Sequence, residues 1–303
     1  MSEPTYATAA QCVHLSALGL AACADLQRWA AEEWPTFPQL HLAGAGYGEA
    51  MVAPWATADQ VRLTGRMCVW AHALDKFVDR EITERAQLDD FVDRCNTVVR
   101  TGEPDHGNQL LRILSDWQRE FAELPDYSPL AAVWERKFDS CLRGHQYNWV
   151  VGSARERGEE PEVDVAAYLA HSDSVAVGLV QVPRWVAYGG AELPDRLDVL
   201  LPALDHIAVA VRLANDLATI DRERDEPGQN NILMYGVSPD WVRAEYVDRV
   251  AAVRRRLAPL VEENFMPAIG LVRLAEWSVG VYERRDMAPA MSLPAAGSEA
   301  RTR

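Results

Sequence analysis

Apolar residues recur at spacings of three and four along most of the chain, the period of helices that bury one face. The stretch VHLSALGLAACADLQRWAAEEW carries the pattern early, QLLRILSDWQREFAEL carries it again, and DWVRAEYVDRVAAVRRRLAPLVEENF carries it late. Ala, Leu, Arg and Glu dominate these runs, so local propensity agrees with the periodicity. The breaks are TGEPDHGN at 101–108, GSARERGEEPE at 152–162, YGGAELP at 188–194, DEPGQN at 225–230 and YGVSP at 235–239. They are short and rich in Gly, Pro and acid, which makes them turns rather than domain linkers. There is no repeat of fixed period and no heptad series.

One segment is ambiguous. SVAVGLVQV at 174–182 has the composition of a buried strand. A lone strand has no sheet to join and is not stable. It reads instead as a core helix interrupted at Gly178, because Gly inside a helix is costly without a reason. The alternative for Gly178 is a close helix–helix contact. The pattern predicts one all-α domain over residues 1–286, with about ten flexible residues at its start. The Pro/Ala/Ser-rich tail MAPAMSLPAAGSEARTR, 287–303, reads as disordered.

Composition narrows the function. The 303 residues are 49% hydrophobic, enough for a sizeable core. The net charge of −15 argues against nucleic acid or an anionic membrane surface as the main partner. An anionic substrate would need local arginines or metal ions. The five cysteines form no CxxC pair and their count is odd, which points to reduced thiols in a cytoplasmic protein. The start, MSEPTYATAA, lacks the basic and apolar regions of a signal peptide. No apolar run approaches the roughly 20 residues of a membrane helix.

Two polar elements interrupt apolar helices. In RLANDLATIDRERDEPGQNN, 212–231, Asn215, Thr219 and Glu223 fall at i, i+4 and i+8. In a helix they stack on one face over about 12 Å. An amide oxygen, a hydroxyl and a carboxylate are hard oxygen ligands, suited to Mg²⁺ when a substrate phosphate supplies the rest. The bland alternative is a solvated helix face. The preceding run HIAVAVRLA is strongly apolar, however, so polar groups there need partners. Arg212, one turn earlier, is placed to grip a phosphate oxygen. In HALDKFVDRE, 72–81, Asp75 and Asp79 repeat the spacing. They repel each other unless a cation intervenes, or unless Lys76 and Arg80 neutralise an ordinary surface pair. Lys76 is one of only two lysines in the chain; the other is Lys137.

Together these elements resemble class I terpene synthases. In that family one helix carries an aspartate-rich DDxxD element, and a facing helix carries Asn, Ser or Thr, and Glu at four-residue steps. NDLATIDRE matches the second element in full. CLRGHQYNWVVGSARERGEEPEVDVAAYL at 141–169 and the terminal WSVGVYERRD at 277–286 are similar to further family segments, so the resemblance spans about 55–286 in order. Lys76 replaces the second aspartate, leaving DxxxD. His171-Ser172-Asp173-Ser174 stands where bacterial members often carry a phosphate-sensing Arg. SVAVGLV, RLANDLATI and YERRD are similar to labdane-related diterpene synthases. No DxDD element is present, so protonation-initiated cyclisation is not expected.

The resemblance implies a helical bundle around a cavity with Mg²⁺ at its mouth, three ions completed by a prenyl diphosphate. It implies metal binding by Asp75, Asp79, Asn215, Thr219 and Glu223. Diphosphate contacts fall to Arg212, with Arg222, Arg284 and Arg285 as further candidates. Candidate cavity residues are Trp70, Phe77, Trp149, Gly178, Trp185, Trp277 and Tyr282, each of which plain core packing would also explain. The implied activity is ionisation and cyclisation of a C20 diphosphate, either linear or a bicyclic labdane type. A sesquiterpene synthase acting on farnesyl diphosphate and a non-catalytic helical binding protein are the alternatives, and Lys76 favours the last. A homodimer is ordinary for the family.

Overall fold

Helix boundaries follow local chemistry in this computed structural model, which describes residues 8–284 other than Thr36, Glu160 and Glu162. Among them are eleven α-helices and no strand. They are α1 (Ala9–Glu33), α2 (Gln39–Val52), α3 (Ala58–Arg80), α4 (Arg85–Thr101), α5 (Gln109–Ala122) and α6 (Tyr127–Glu156). Then come α7 (Val165–Ala170), α8 (Val177–Tyr188), α9 (Leu197–Glu223), α10 (Pro239–Glu262) and α11 (Met266–Tyr282). Thr57 opens α3 with a capping box shared with Gln60, which satisfies two otherwise orphaned groups. Gly102 ends α4 at φ 69°, a left-handed conformation that Gly adopts without penalty. Ser238 caps α10 by accepting from the Trp241 amide. The turn-rich stretches of the sequence all fall between helices or at their ends.

The ambiguous segment is helical, but it breaks two residues earlier than expected. A 3₁₀ turn, Ser172–Val175, precedes α8, and Ala176 joins them at φ 60°. Gly178 lies inside the first turn of α8. Its role is close approach: a Cβ there would come within 2.9 Å of Lys137 Cδ on α6.

The packing sets α8 against α3, α6 and α9, with α10 and α11 packed on α9, α1 and α2 on α3, and α11 also on α2. An aromatic cluster joins α3, α5 and α6. Trp70 packs on Phe138 at 5.6 Å, Trp117 on Phe121 at 4.5 Å, and Trp134 on Phe138 at 5.2 Å. The indole N–H groups are satisfied: Trp70 donates to the Leu110 carbonyl, Trp117 to that of Leu63, and Trp134 to Gln118 Oε1. At the inner end a buried ion pair ties three helices. Arg184 of α8 donates to both carboxylate oxygens of Glu49 on α2, and Thr64 of α3 donates to the same carboxylate. Such a pair is retained only with its hydrogen bonds complete.

Residues 1–7 and 285–303 lie outside the described residues, and with them most of the start expected to be flexible, the tail expected to be disordered, and Arg285; Ala9 and Ala10, within that expected start, belong to α1.

Candidate active site

Asp75 and Asp79 stand one turn apart at the C-terminal end of α3, both open to water. The Asp79 carboxyl is nevertheless pushed up to about 7. Surrounding protein is the first cause and Asp75 the second; Glu223 and Glu226 add to the rise, and a hydrogen bond from Gln229 opposes it. A group that is water-accessible yet crowded by protein lies on the wall of a concave mouth. The neighbours of Asp79 bridge the two acidic elements. Glu223 ends α9, and Glu226 and Gln229 follow it in the loop, so this loop reaches across to α3.

The opposite wall is the last three turns of α9. The Thr219 hydroxyl donates to the Asn215 carbonyl at 2.9 Å, which leaves its lone pairs free to bind a cation. Glu223 accepts from the Asn231 amide at 3.0 Å. Asn231 is fully buried and also donates to the Asp216 carbonyl at 2.8 Å. Arg222 pairs with Glu226 at 2.5 Å and with Glu223 at 3.5 Å. Its charge is directed at Glu223 at the end of α9 and at Glu226 in the following loop, which weakens its candidacy for the diphosphate.

Arg212 is held from four sides. It donates to Tyr168 Oη, to Ser174 Oγ at 3.0 Å and to the Asn230 carbonyl, and it pairs with Asp216 at 3.2 Å. Asp216 is buried and also accepts from Tyr168 Oη and from the Ile232 amide. Asn230 is itself fixed, since its Oδ1 accepts from Arg155 at 3.0 Å and from Tyr235 at 2.8 Å. Asp216, Tyr168, Ser174, Asn230 and Asn231 therefore shape the site and were absent from the sequence-derived set. One of them had a local signal: Asp216 lies four residues after Arg212 on an apolar helix, where a carboxylate needs a cation. Asn230 and Asn231 end the stretch 212–231, and Tyr168 and Ser174 fall in the segments 141–169 and 171–174; the sequence set these segments apart, but which of their side chains meet Arg212 is decided by packing.

One interior histidine lies near both walls. His145 of α6 is buried, and burial lowers its pKa while Asp75 raises it and Arg212 lowers it further, so all three share one neighbourhood. Lys76 turns another way. Its ammonium lies over the Phe37 ring at 5.8 Å, on the α1–α2 side. Burial and Arg80 lower its pKa while Asp75 raises it.

The remaining candidates divide. Trp70 belongs to the aromatic cluster and lies about 140° round α3 from Asp75, so it is core. Phe77 is about 160° away and packs on Phe91 of α4 at 4.7 Å, also core. Trp185 is buried and shares a small cleft with Trp55, Tyr188 and Pro267, on the α2–α11 side. Trp149 remains at the rim, its N–H directed at the Ile82 carbonyl just beyond α3 at 3.4 Å. Trp277 is half-buried against Gly48, where a Cβ would come within 3.2 Å of the indole. Tyr282 and Arg284 line an outer groove with Ala214, Leu217, Arg243 and Tyr246, and Arg284 donates to the Gly280 carbonyl. Arg284 therefore stands away from the face of Asn215 and Thr219.

The raised Asp79 pKa carries a pH signature. Between the unfolded value near 3.8 and the folded value near 7, the folded chain keeps a proton that the unfolded chain has lost. Stability therefore falls as pH rises through this window and is flat above it. In metal-free buffer, Asp79→Asn is expected to raise the melting temperature at pH 8 and to have no effect at pH 3.5. An equal gain at both pH values would assign the effect to something other than this charge.

The donor set fits a hard cation. Its oxygens come from two walls; burial is the main cause of the raised Asp79, and Asp75, Glu223 and Glu226 add a negative potential that a cation would relieve. Among the described residues no three His, Cys, Asp or Glu side chains close into a metal cage.

The chain is 40% identical over 270 residues, 89% of its length, to an ent-pimara-9(11),15-diene synthase of Streptomyces sp. (strain KO-3988), covering 91% of that protein. The chain belongs to the class I terpene synthases. No protein-family model matches it. The all-α fold of the synthase is shared with wild-type cucumene synthase, at TM-score 0.65 and 16% identity over 88% of this chain and 96% of that one. It is shared too with hedycaryol synthase in complex with nerolidol, at TM-score 0.64 and 15% identity over 88% and 94%. The synthase is a cyclase of prenyl diphosphates. Among its described residues no helix is long and apolar enough to cross a membrane.

Proposed function

We propose that this synthase makes a diterpene, ionising a C20 prenyl diphosphate of the bicyclic labdane type and closing a further ring. The carrying observation is its 40% identity to a protein named for a diterpene product, over nearly the whole of both chains. With no DxDD element in the chain, closure of the first two rings by protonation is not expected of it, so a bicyclic substrate would have to be supplied already cyclised.

In this reading Asp75 and Asp79 hold Mg²⁺ on one wall, and Asn215, Thr219 and Glu223 hold it on the other. When bound, Mg²⁺ would supply electrostatic stabilisation of the charge that develops on the departing diphosphate. Arg212 donates to the same oxygens, held in place by Tyr168, Ser174, Asn230 and Asp216 before substrate arrives. Apolar walls then exclude water from the allylic cation and shape its folding, with Trp149 at the rim as an aromatic face.

The test is diphosphate release and product analysis with C10, C15, linear C20 and bicyclic C20 diphosphates in Mg²⁺ buffer. Release with cyclisation is expected from bicyclic C20 diphosphate. Turnover of farnesyl diphosphate alone would replace this reading with a sesquiterpene synthase. No release from any of them would leave a chain that binds without catalysis.

A further inference from the structure

The second lysine lies outside both acidic walls. Lys137 of α6 is largely buried, and its Nζ donates to Asp173 Oδ2 at 3.1 Å and to Asp205 Oδ1 at 2.6 Å. The Ser140 hydroxyl donates to the same Asp173 oxygen at 2.7 Å. Asp173 sits in the 3₁₀ turn Ser172–Val175, and the next residue, Ser174, accepts from Arg212. The turn also rests on α6 at Gly144, where a Cβ would fall 2.8 Å from the Ser174 amide nitrogen. Lys137, Ser140 and Gly144 are at i, i+3 and i+7, one face of α6. Gly178 completes the arrangement by letting the lysine stem cross the first turn of α8. Ala176 links the turn to α8 at φ 60°, a conformation unfavourable for alanine that persists only when its surroundings hold it.

We infer that Lys137 is a positioning residue for Arg212. By fixing Asp173 it sets the place of Ser174, and Ser174 sets one of the directions in which the guanidinium points. The inference rests on the reading that Arg212 binds the diphosphate. Asp173 is nearly buried, whereas Asp205 is mostly exposed, with side-chain exposures of 12% and 61%. The first contact thus does the positioning, and the second provides an internal control.

The experiment compares Lys137→Met and Asp205→Asn in the full chain. Two quantities are read: kcat for diphosphate release, and the dissociation constant of inorganic diphosphate in Mg²⁺ buffer by calorimetry. Lys137→Met is expected to lower kcat and weaken diphosphate binding by about tenfold each, because small misplacements at a reacting centre are amplified. Asp205→Asn is expected to leave both within about twofold. Should Lys137→Met melt below the assay temperature, Lys137→Met/Asp173→Asn leaves no unpaired buried charge and is expected to show the same two losses. Unchanged kcat and diphosphate affinity in the lysine variant, or equal losses in Asp205→Asn, would overturn the inference. Arg212→Lys separates the two failures. If it binds inorganic diphosphate as the parent does, the reading of Arg212 fails. If it loses binding while the lysine variants do not, only the role of Lys137 fails.

Discussion

Asp75→Ala is expected to lower diphosphate release by about a thousandfold or more, while Lys76→Ala stays within about threefold of the parent chain. Both residues sit in the same turn of α3, so their place along the helix does not distinguish them. Asp75 lies on the face that continues to Asp79 and shares its surroundings with His145 and Arg212. Lys76 is rotated from it by about 100° and directs its charge at the Phe37 ring. Its replacement removes a cation–π contact at the α1–α2 side, a modest loss. Single-turnover release of diphosphate from C20 substrate in saturating Mg²⁺ measures both. Equal damage from the two substitutions would make Lys76 a phosphate contact and would contradict its orientation toward Phe37.

Arg212→Lys is expected to lower kcat by about a hundredfold with little change in melting temperature. Lysine keeps the positive charge beside buried Asp216, so no uncompensated carboxylate is created. It lacks the planar fork that now meets Tyr168, Ser174 and Asn230 together. Arg212→Ala is the less informative variant, because leaving Asp216 unpaired costs about 3–5 kcal/mol and confounds folding with chemistry. Rapid-quench turnover alongside thermal melting separates the two effects. Full activity in Arg212→Lys would show that a point charge suffices.

How much of the site could be read in advance depended on the distance between its parts. Asn215, Thr219 and Glu223 were legible because one helix spaces them, and the spacing of a helix is the same in any protein. The tie between Thr219 and the Asn215 carbonyl needs no information from elsewhere in the chain. Asp75 and Asp79 were legible for the same reason. The aromatic candidates were not. Trp70 and Phe77 have the composition of a cavity wall, yet both turn from the acidic face into contacts with Phe138 and Phe91. Gly178 stands out in the sequence for its missing side chain, and of its two readings the close contact holds rather than the break. The break falls at Ala176, and Gly178 makes room for Lys137.

The sequence by itself determined the all-α architecture, the positions of the breaks and the two acidic elements, because periodicity and turn chemistry act over a few residues. Tertiary structure decided which side chains meet. Arg212 is gripped by residues 168, 174 and 230, and Lys137 reaches 173 and 205, through contacts that exist only once helices distant in the chain have packed. The direction of a helix face within the bundle is set by all its neighbours at once, and no local pattern encodes it.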